Sequence, residues 1–240
     1  MKRFTILSLA ILFSVLVNAQ KVSGGLSFSP ILSWTKSDSK LIENDGNRFS
    51  VGYGIFADYN FTENFSLSSG ININEVGGTV KYPKEIGFLY EDVYDTLPTG
   101  ARVFYKIRYV EIPISLKGKT NEIGYFTYFM KAGLSPMFRW KVRGDIYQTI
   151  DSKEVKIEDV NMKNEVNWFS LSFHVGAGLE YSLGGNTALV AELIYYNGLT
   201  DFTNDNSYKE YDKNMDLNAD YRNTYSVLTH QFMLKIGIKF

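Results

Sequence analysis

A chain of 240 residues, 45% of them apolar, is long enough for one substantial domain, and its formal net charge of −1 gives no electrostatic reason to expect nucleic acid. It contains no cysteine, which excludes disulfides and thiolate metal sites. After Val17 no apolar run approaches the roughly 20 residues of a membrane-spanning helix, so a membrane role would require a closed barrel of strands.

Residues 1–19 read as a secretory signal peptide, and residues 20–240 as a single β-barrel domain. Lys2 and Arg3 supply the positive end, residues 4–17 are largely apolar, and Val17-Asn18-Ala19 offers small residues for cleavage before Gln20.

Eight segments then alternate apolar and polar residues with period two, the mark of a strand with one apolar face. In residues 22–35, Val22, Leu26, Phe28, Leu32 and Trp34 oppose a row of serines. In residues 49–60, Phe49, Val51, Tyr53 and Ile55 oppose Ser50, Gly52, Gly54 and Asp58. In residues 64–75, Phe65, Leu67, Ile71 and Ile73 oppose Ser66, Ser68, Asn72 and Asn74. Residues 102–116 begin with apolar odd positions and finish with apolar even ones, which predicts a bulge near Tyr109-Val110. Residues 125–142, 166–183 and 187–197 follow. The eighth segment, 225–240, carries Leu228, Phe232, Leu234, Ile236, Ile238 and Phe240 on one face, with His230 interrupting the row.

The connections sort by length. Residues 60–64, 117–124 and 182–186 are tight turns; residues 36–48, 76–101, 143–165 and 198–223 are long. Short turns at one end and long loops at the other characterise bacterial outer-membrane barrels, whereas a soluble sandwich or lipocalin-like barrel has no reason to sort its loops. An even strand count puts both termini in the periplasm. Trp34, Trp140 and Trp168 fall at the loop end as one aromatic girdle, although parity points Trp168 inward. Tyr59, Phe61, Phe65, Phe126, Tyr181 and Phe240 fall at the other end. Several segments exceed the ~9–11 residues that a tilted strand needs to span, so residues 143–160 should continue as a hairpin above the membrane. The expected fold is all-β: an eight-stranded antiparallel up-and-down transmembrane β-barrel with long extracellular loops.

Two stretches resemble known sequences. The alternating end that stops on Phe240 resembles the terminal signal that assembly machinery reads on outer-membrane barrels. Residues 109–117, YVEIPISLK, followed by residues 131–136, KAGLSP, resemble the PorT-type outer-membrane barrel family of Bacteroidota. That resemblance implies the barrel firmly. For function it implies at most an accessory role in an envelope complex of the type IX secretion and gliding kind.

Eight strands leave an interior just wide enough for side chains, so a solute pore is not expected. By parity the interior holds Asp58, Glu111, Glu180 and Glu192 against Lys131, Arg139 and Lys235. Equal heights above the turns predict two buried pairs, Glu111 with Lys131 and Glu192 with Lys235. His174 points inward beside Ser170 and Ser172, the one arrangement that could serve a rim hydrolase, but no acidic orienter is evident. His230 has the lipid-facing parity. Residues 212–220 place Asp and Asn at alternate positions, as calcium loops do. Leu217 stands where the turn glycine belongs and Asn223 where the bidentate Glu belongs, so a solvated acidic loop is the better reading. The expectation is therefore a non-enzymatic envelope component of the cell outer membrane, without catalytic residues, metal or cofactor. Its expected partners are outer-membrane lipids and lipopolysaccharide, the barrel assembly machinery, and envelope or secretion-complex proteins. The alternatives are a rim-sited lipid or peptide hydrolase and a stand-alone surface binding or adhesion barrel.

Overall fold

The computed structural model describes residues 21–37, 42–91, 93–150, 152–204 and 226–240. The signal peptide expected at residues 1–19 and the acidic stretch at residues 212–220 lie outside the described residues. The chain runs β1 (Val22–Ser37), β2 (Glu43–Gly46), β3 (Arg48–Asn60), β4 (Phe65–Lys81), β5 (Ile86–Tyr90), β6 (Val93–Leu97) and β7 (Arg102–Glu111). It continues as β8 (Ile114–Lys119), β9 (Phe126–Ile150), β10 (Lys153–Asn161), β11 (Phe169–Gly184), β12 (Thr187–Gly198) and β13 (Val227–Lys239).

Eight staves close into a ring, each antiparallel to its neighbours. The order is β1, β3, β4, then β7 continued by β8, then β9, β11, β12 and β13, which returns to β1. The seam is long, with Leu26 opposite Ile238 and Trp34 opposite His230. At its foot Gly24 and Phe240 exchange amide-to-carbonyl hydrogen bonds of 3.0 and 2.8 Å. Closure leaves no free edge in the ring, which a lipid environment demands. The remaining strands are additions at the loop end. β2 pairs with the top of β4, β5 and β6 form their own hairpin, and β10 folds back on β9 with Lys153 opposite Ile150. The hairpin expected over residues 143–160 is therefore present.

The staves carry two opposite patterns along their length. Near the turns, β4 exposes Phe65, Leu67 and Ile71 and buries Ser66, Ser68 and Asn72. Above Asn74 the same strand buries Val76 and Val80, while Glu75, Thr79 and Lys81 occupy the outer face. β7 and β8 repeat this: Ile112, Ile114 and Leu116 are exposed below, and Val103, Tyr105, Ile107 and Tyr109 are buried above. The loop end thus has an apolar core of its own, with Ile31, Val76, Tyr105, Val142, Ile146, Ile194 and Met233 among its members.

That reversal corrects the bulge expected at Tyr109-Val110. Tyr109, Glu111, Pro113, Ser115 and Lys117 all point inward, and their pairing with β4 keeps one register throughout. What changes is the chemistry of the interior, apolar above and polar below. The irregularity lies opposite, on β9. Arg108 pairs with Lys141 and Tyr109 with Arg139, which leaves Trp140 as the extra residue. Trp168 is also corrected: it is 66% exposed and packs on Phe138 and Phe169 rather than pointing inward.

Candidate functional site

The interior of the lower barrel is the polar centre of the molecule. Nearest the turns, the Lys117 ammonium donates to Asp58 Oδ2 and to Glu180 Oε1, each at 2.6 Å. Lys239 binds the other oxygen of Glu180. One level up, Lys131 Nζ lies 2.8 Å from Glu192 Oε2. Lys235 is buried with its ammonium 5.8 Å from the Phe56 ring centroid, facing a cavity of about 20 Å³ that Glu192 and Asp58 also line. That volume admits one water-sized molecule.

These contacts replace both pairs expected from heights above the turns. Glu111 is opposite Met137, and Lys131 is opposite Lys117, because the hairpin is asymmetric and β8 runs on to Lys119. Lys235 is indeed the register partner of Glu192, yet the Glu192 carboxylate turns across β11 to Lys131. Gly176 makes this reach possible, since a Cβ there would sit 2.6 Å from Glu192 Oε1. Arg139, also expected inside, binds the carbonyl oxygens of Lys163 and Val166 near the loop end.

Among the described residues Glu111 enters no ion pair. Its carboxylate accepts from Asn72 Nδ2 at 3.0 Å, Asn74 Nδ2 at 2.5 Å and Ser135 Oγ at 2.6 Å. Ser135 also meets His174 Nδ1 at 2.9 Å, and Ser115 Oγ meets His174 Nε2 at 2.6 Å. With the Ser135 proton on Glu111, a neutral imidazole would donate from Nδ1 and accept from Ser115 at Nε2. Gly133 lies between Ser115 and His174 in the register, and without a side chain there the two can touch. A Cβ on Gly133 would fall 2.0 Å from the Ile114 carbonyl oxygen. His174 thus finds its partners on the adjoining staves β9 and β8, not at Ser170 and Ser172.

This connectivity has the order of a general-base relay, with Ser115 as hydroxyl, His174 as base and a serine linking it to Glu111. It lacks an approach. His174 is 1% exposed, Ser115, Ser135 and Glu111 are equally buried, and Tyr196 closes over the imidazole at 5.3 Å between ring centroids. In this structure the Ser115 hydroxyl is shielded from the ~3 Å approach that nucleophilic attack requires. Among the described residues no group of three or more His, Asp or Glu could hold a metal. His230 does face outward, but Trp34 stacks on it at 5.8 Å and the Tyr195 hydroxyl meets its Nδ1 at 3.1 Å.

The geometry is a closed ring with an apolar exterior band and an ion-paired interior, and the family model described as outer membrane protein beta-barrel domain matches residues 18–204. The chain belongs to the outer membrane protein beta-barrel domain family. No curated protein matches it. Among solved structures it is similar to OprG from Pseudomonas aeruginosa, with 11% identity and a TM-score of 0.46, covering 91% of this chain and 95% of that one. It is also similar to Neisserial surface protein A, with 14% identity, a TM-score of 0.41 and coverage of 91% and 99%. Ail of Yersinia pestis follows at 13% identity, a TM-score of 0.36 and coverage of 92% and 99%. At these scores the likenesses carry no argument about function, and the fold of this outer-membrane barrel rests on its own ring.

In this barrel the residues missed at the sequence level are Lys117, Lys239, Ser115, Ser135, Asn72 and Asn74. Lys117 falls in a segment whose Lys-Gly-Lys reads as a turn, yet it shares parity with Glu111 and Ser115, which marks it as interior. The amides and hydroxyls give no comparable signal, because polar lumens are rich in such residues.

Proposed function

We propose that the chain is a non-enzymatic, non-conducting integral barrel of the outer membrane, with both termini in the periplasm. Its work is done by the folded platform above the membrane, as an accessory of an envelope complex. The observation that carries this reading is the occluded interior: ion pairs fill the lower lumen and an apolar core fills the upper one. This filling supports a barrel that neither conducts solute nor seats a substrate within its lumen. The long elements, β2, the β5–β6 hairpin and the β9–β10 hairpin, all project from one end. The PorT-type resemblance of residues 109–117 and 131–136 supports the assignment to an envelope complex of the type IX secretion kind.

The test is affinity isolation of the native protein from detergent-solubilised outer membranes. A stoichiometric envelope partner is expected; a clean monomer would favour the stand-alone surface binding barrel. Orientation is read separately. The chain has no native cysteine, so Glu154→Cys in β10 should label on whole cells with an impermeant reagent and Glu122→Cys, at a turn, should not. In planar bilayers the purified protein should show no steady conductance.

A further inference from the structure

The outer face of β7 and β9 changes character at one level. Below it, Ile112, Ile114 and Leu134 are exposed, and Trp140, the extra residue on β9, is 60% exposed to the outside. Directly above, Arg108 stands opposite Lys141, and Lys106 opposite Arg143. Arg48 crosses from β3 to the same place, donating to the Tyr105 carbonyl at 3.3 Å. A cleft of about 150 Å³ opens between them. Five of its seven lining residues are these cations, against the two acids Glu75 and Asp159. Asp145 pairs with Lys106 and Glu91 with Arg143 from outside the lining, so five cations face four acids and the excess charge is that of Lys141.

The cations are held in place. One carboxylate, Glu75, accepts from Arg48 Nη2 at 2.7 Å and from Arg108 Nε at 2.9 Å. Lys106 leans on Asp145 at 2.8 Å, and Arg143 donates to the Asp159 carbonyl at 2.9 Å. Lys141 is exposed and enters none of the ion pairs among the described residues. Two guanidinium groups sharing one acid, with an unpaired ammonium beside them, leave donors directed at the cleft. A tryptophan at the interface sets its height, since indole rings seek the boundary between chain and headgroup.

We propose that this cleft binds the phosphate groups of a phosphorylated glycolipid of the outer leaflet. The ligand chemistry is a phosphate monoester on a lipid, which sits at headgroup height with its acyl chains along the apolar band below. Arginine and lysine meet its oxygens by charge-assisted hydrogen bonds. The inference rests on the orientation proposed above, because only that orientation turns the cleft toward the outer leaflet.

The experiment is native mass spectrometry of the detergent-purified protein with diphosphoryl lipid A, with the same lipid stripped of phosphate, and with phosphatidylglycerol. The expected result is retention of diphosphoryl lipid A over both others. Lys141→Gln, which breaks no ion pair, should weaken that retention about fivefold, the effect of one cation near a lipid surface. Arg143→Gln should add to it, Lys141→Arg should restore it, and the remote Lys153→Gln should leave it unchanged. Each variant is first checked for folding by its cold-versus-boiled gel shift. Equal retention of stripped lipid A, or a Lys141→Gln variant indistinguishable from the parent, overturns the proposal. So does displacement of the lipid by millimolar inorganic phosphate, which would make this a free-anion site, and so does equal retention of phosphatidylglycerol. Binding in detergent is independent of orientation. If Glu154→Cys fails to label on cells while lipid A still binds, the orientation is wrong and the site stands.

Discussion

The two halves of this barrel are built from the same staves and obey opposite rules. In the lower half apolar side chains face out and charges face in. In the upper half β4 and β7 bury Val76, Val80, Tyr105 and Ile107 and turn Glu75, Arg108 and Lys106 outward. On β4 and β7 parity and register run straight through the change, while β9 marks the same level with its extra residue, Trp140. The difference follows from the surroundings alone. An apolar side chain goes to whichever side lacks water, which is outward where lipid covers the wall and inward where water does. The upper half is therefore held by ordinary hydrophobic burial, and the lower half, whose exterior is apolar either way, by paired charges and hydrogen bonds inside.

That contrast can be broken from either side. The largest effect is expected at Lys117, which neutralises Asp58 and Glu180 together. Lys117→Met should cost about 3–5 kcal/mol or more, since it strands buried carboxylates, and urea unfolding in lipid vesicles measures it. A loss below 1 kcal/mol would mean that the lower lumen is wetter than its burial implies. Next is the upper core. Ile146→Ala should cost about 2–5 kcal/mol by the cavity it leaves, and proteolysis on intact cells should cut above the membrane while the staves stay protected. Uniform destabilisation of both halves would show that they unfold as one. A smaller effect is the coupling between Lys131 and Glu192. Glu192→Gln should destabilise more than the Glu192→Gln, Lys131→Met double change, whereas pairing Glu192→Gln with Lys235→Met should give less relief. The reverse order would restore Lys235 as the partner.

The smallest concerns Asp201, at the base of the long loop after β12. One of its oxygens accepts from the Thr203 amide at 2.9 Å, the Thr203 hydroxyl at 2.7 Å and the Val227 amide at 3.0 Å. Burial raises its carboxyl above the ordinary 3.8, and the hydrogen bonds from Thr203 and Val227 only partly offset this. A raised acid is favoured in its protonated form by the folded state. Its contribution is thus complete below the ordinary carboxylate range and is lost as pH rises through the raised value. Resistance of the loop base to proteolysis should rise modestly as pH falls through that window, and Asp201→Asn should abolish the dependence.

The staves were legible because lipid leaves a plain mark: Phe65, Leu67 and Ile71 can alternate with Ser66, Ser68 and Asn72 only on a wall with two unlike faces. The reversal between Tyr109 and Ile112 was not, because an apolar odd row facing in and an apolar even row facing out look like one row with a slipped register. Partner choice in the lumen was hidden for a different reason. Cross-strand height depends on where a hairpin turns, and β8 passes Lys117 before it does so. Reach across a strand also depends on gaps such as Gly176 and Gly133, which a sequence prints as absence. The relay at His174 was half visible, since its parity was plain while Ser115 and Ser135 come from neighbouring staves.

The seam between β1 and β13 is the pairing that turns a sheet into a ring. Its two strands are the first and last staves of the ring, so every other pairing can form while this one waits. Without β13, β12 and β1 would each offer a bare ladder of amides and carbonyls, which hydrocarbon cannot satisfy. Closure is therefore a completeness test applied by the solvent: a chain cut short before Val227 stays an open sheet with two adhesive borders, exposed to any strand it meets on its way.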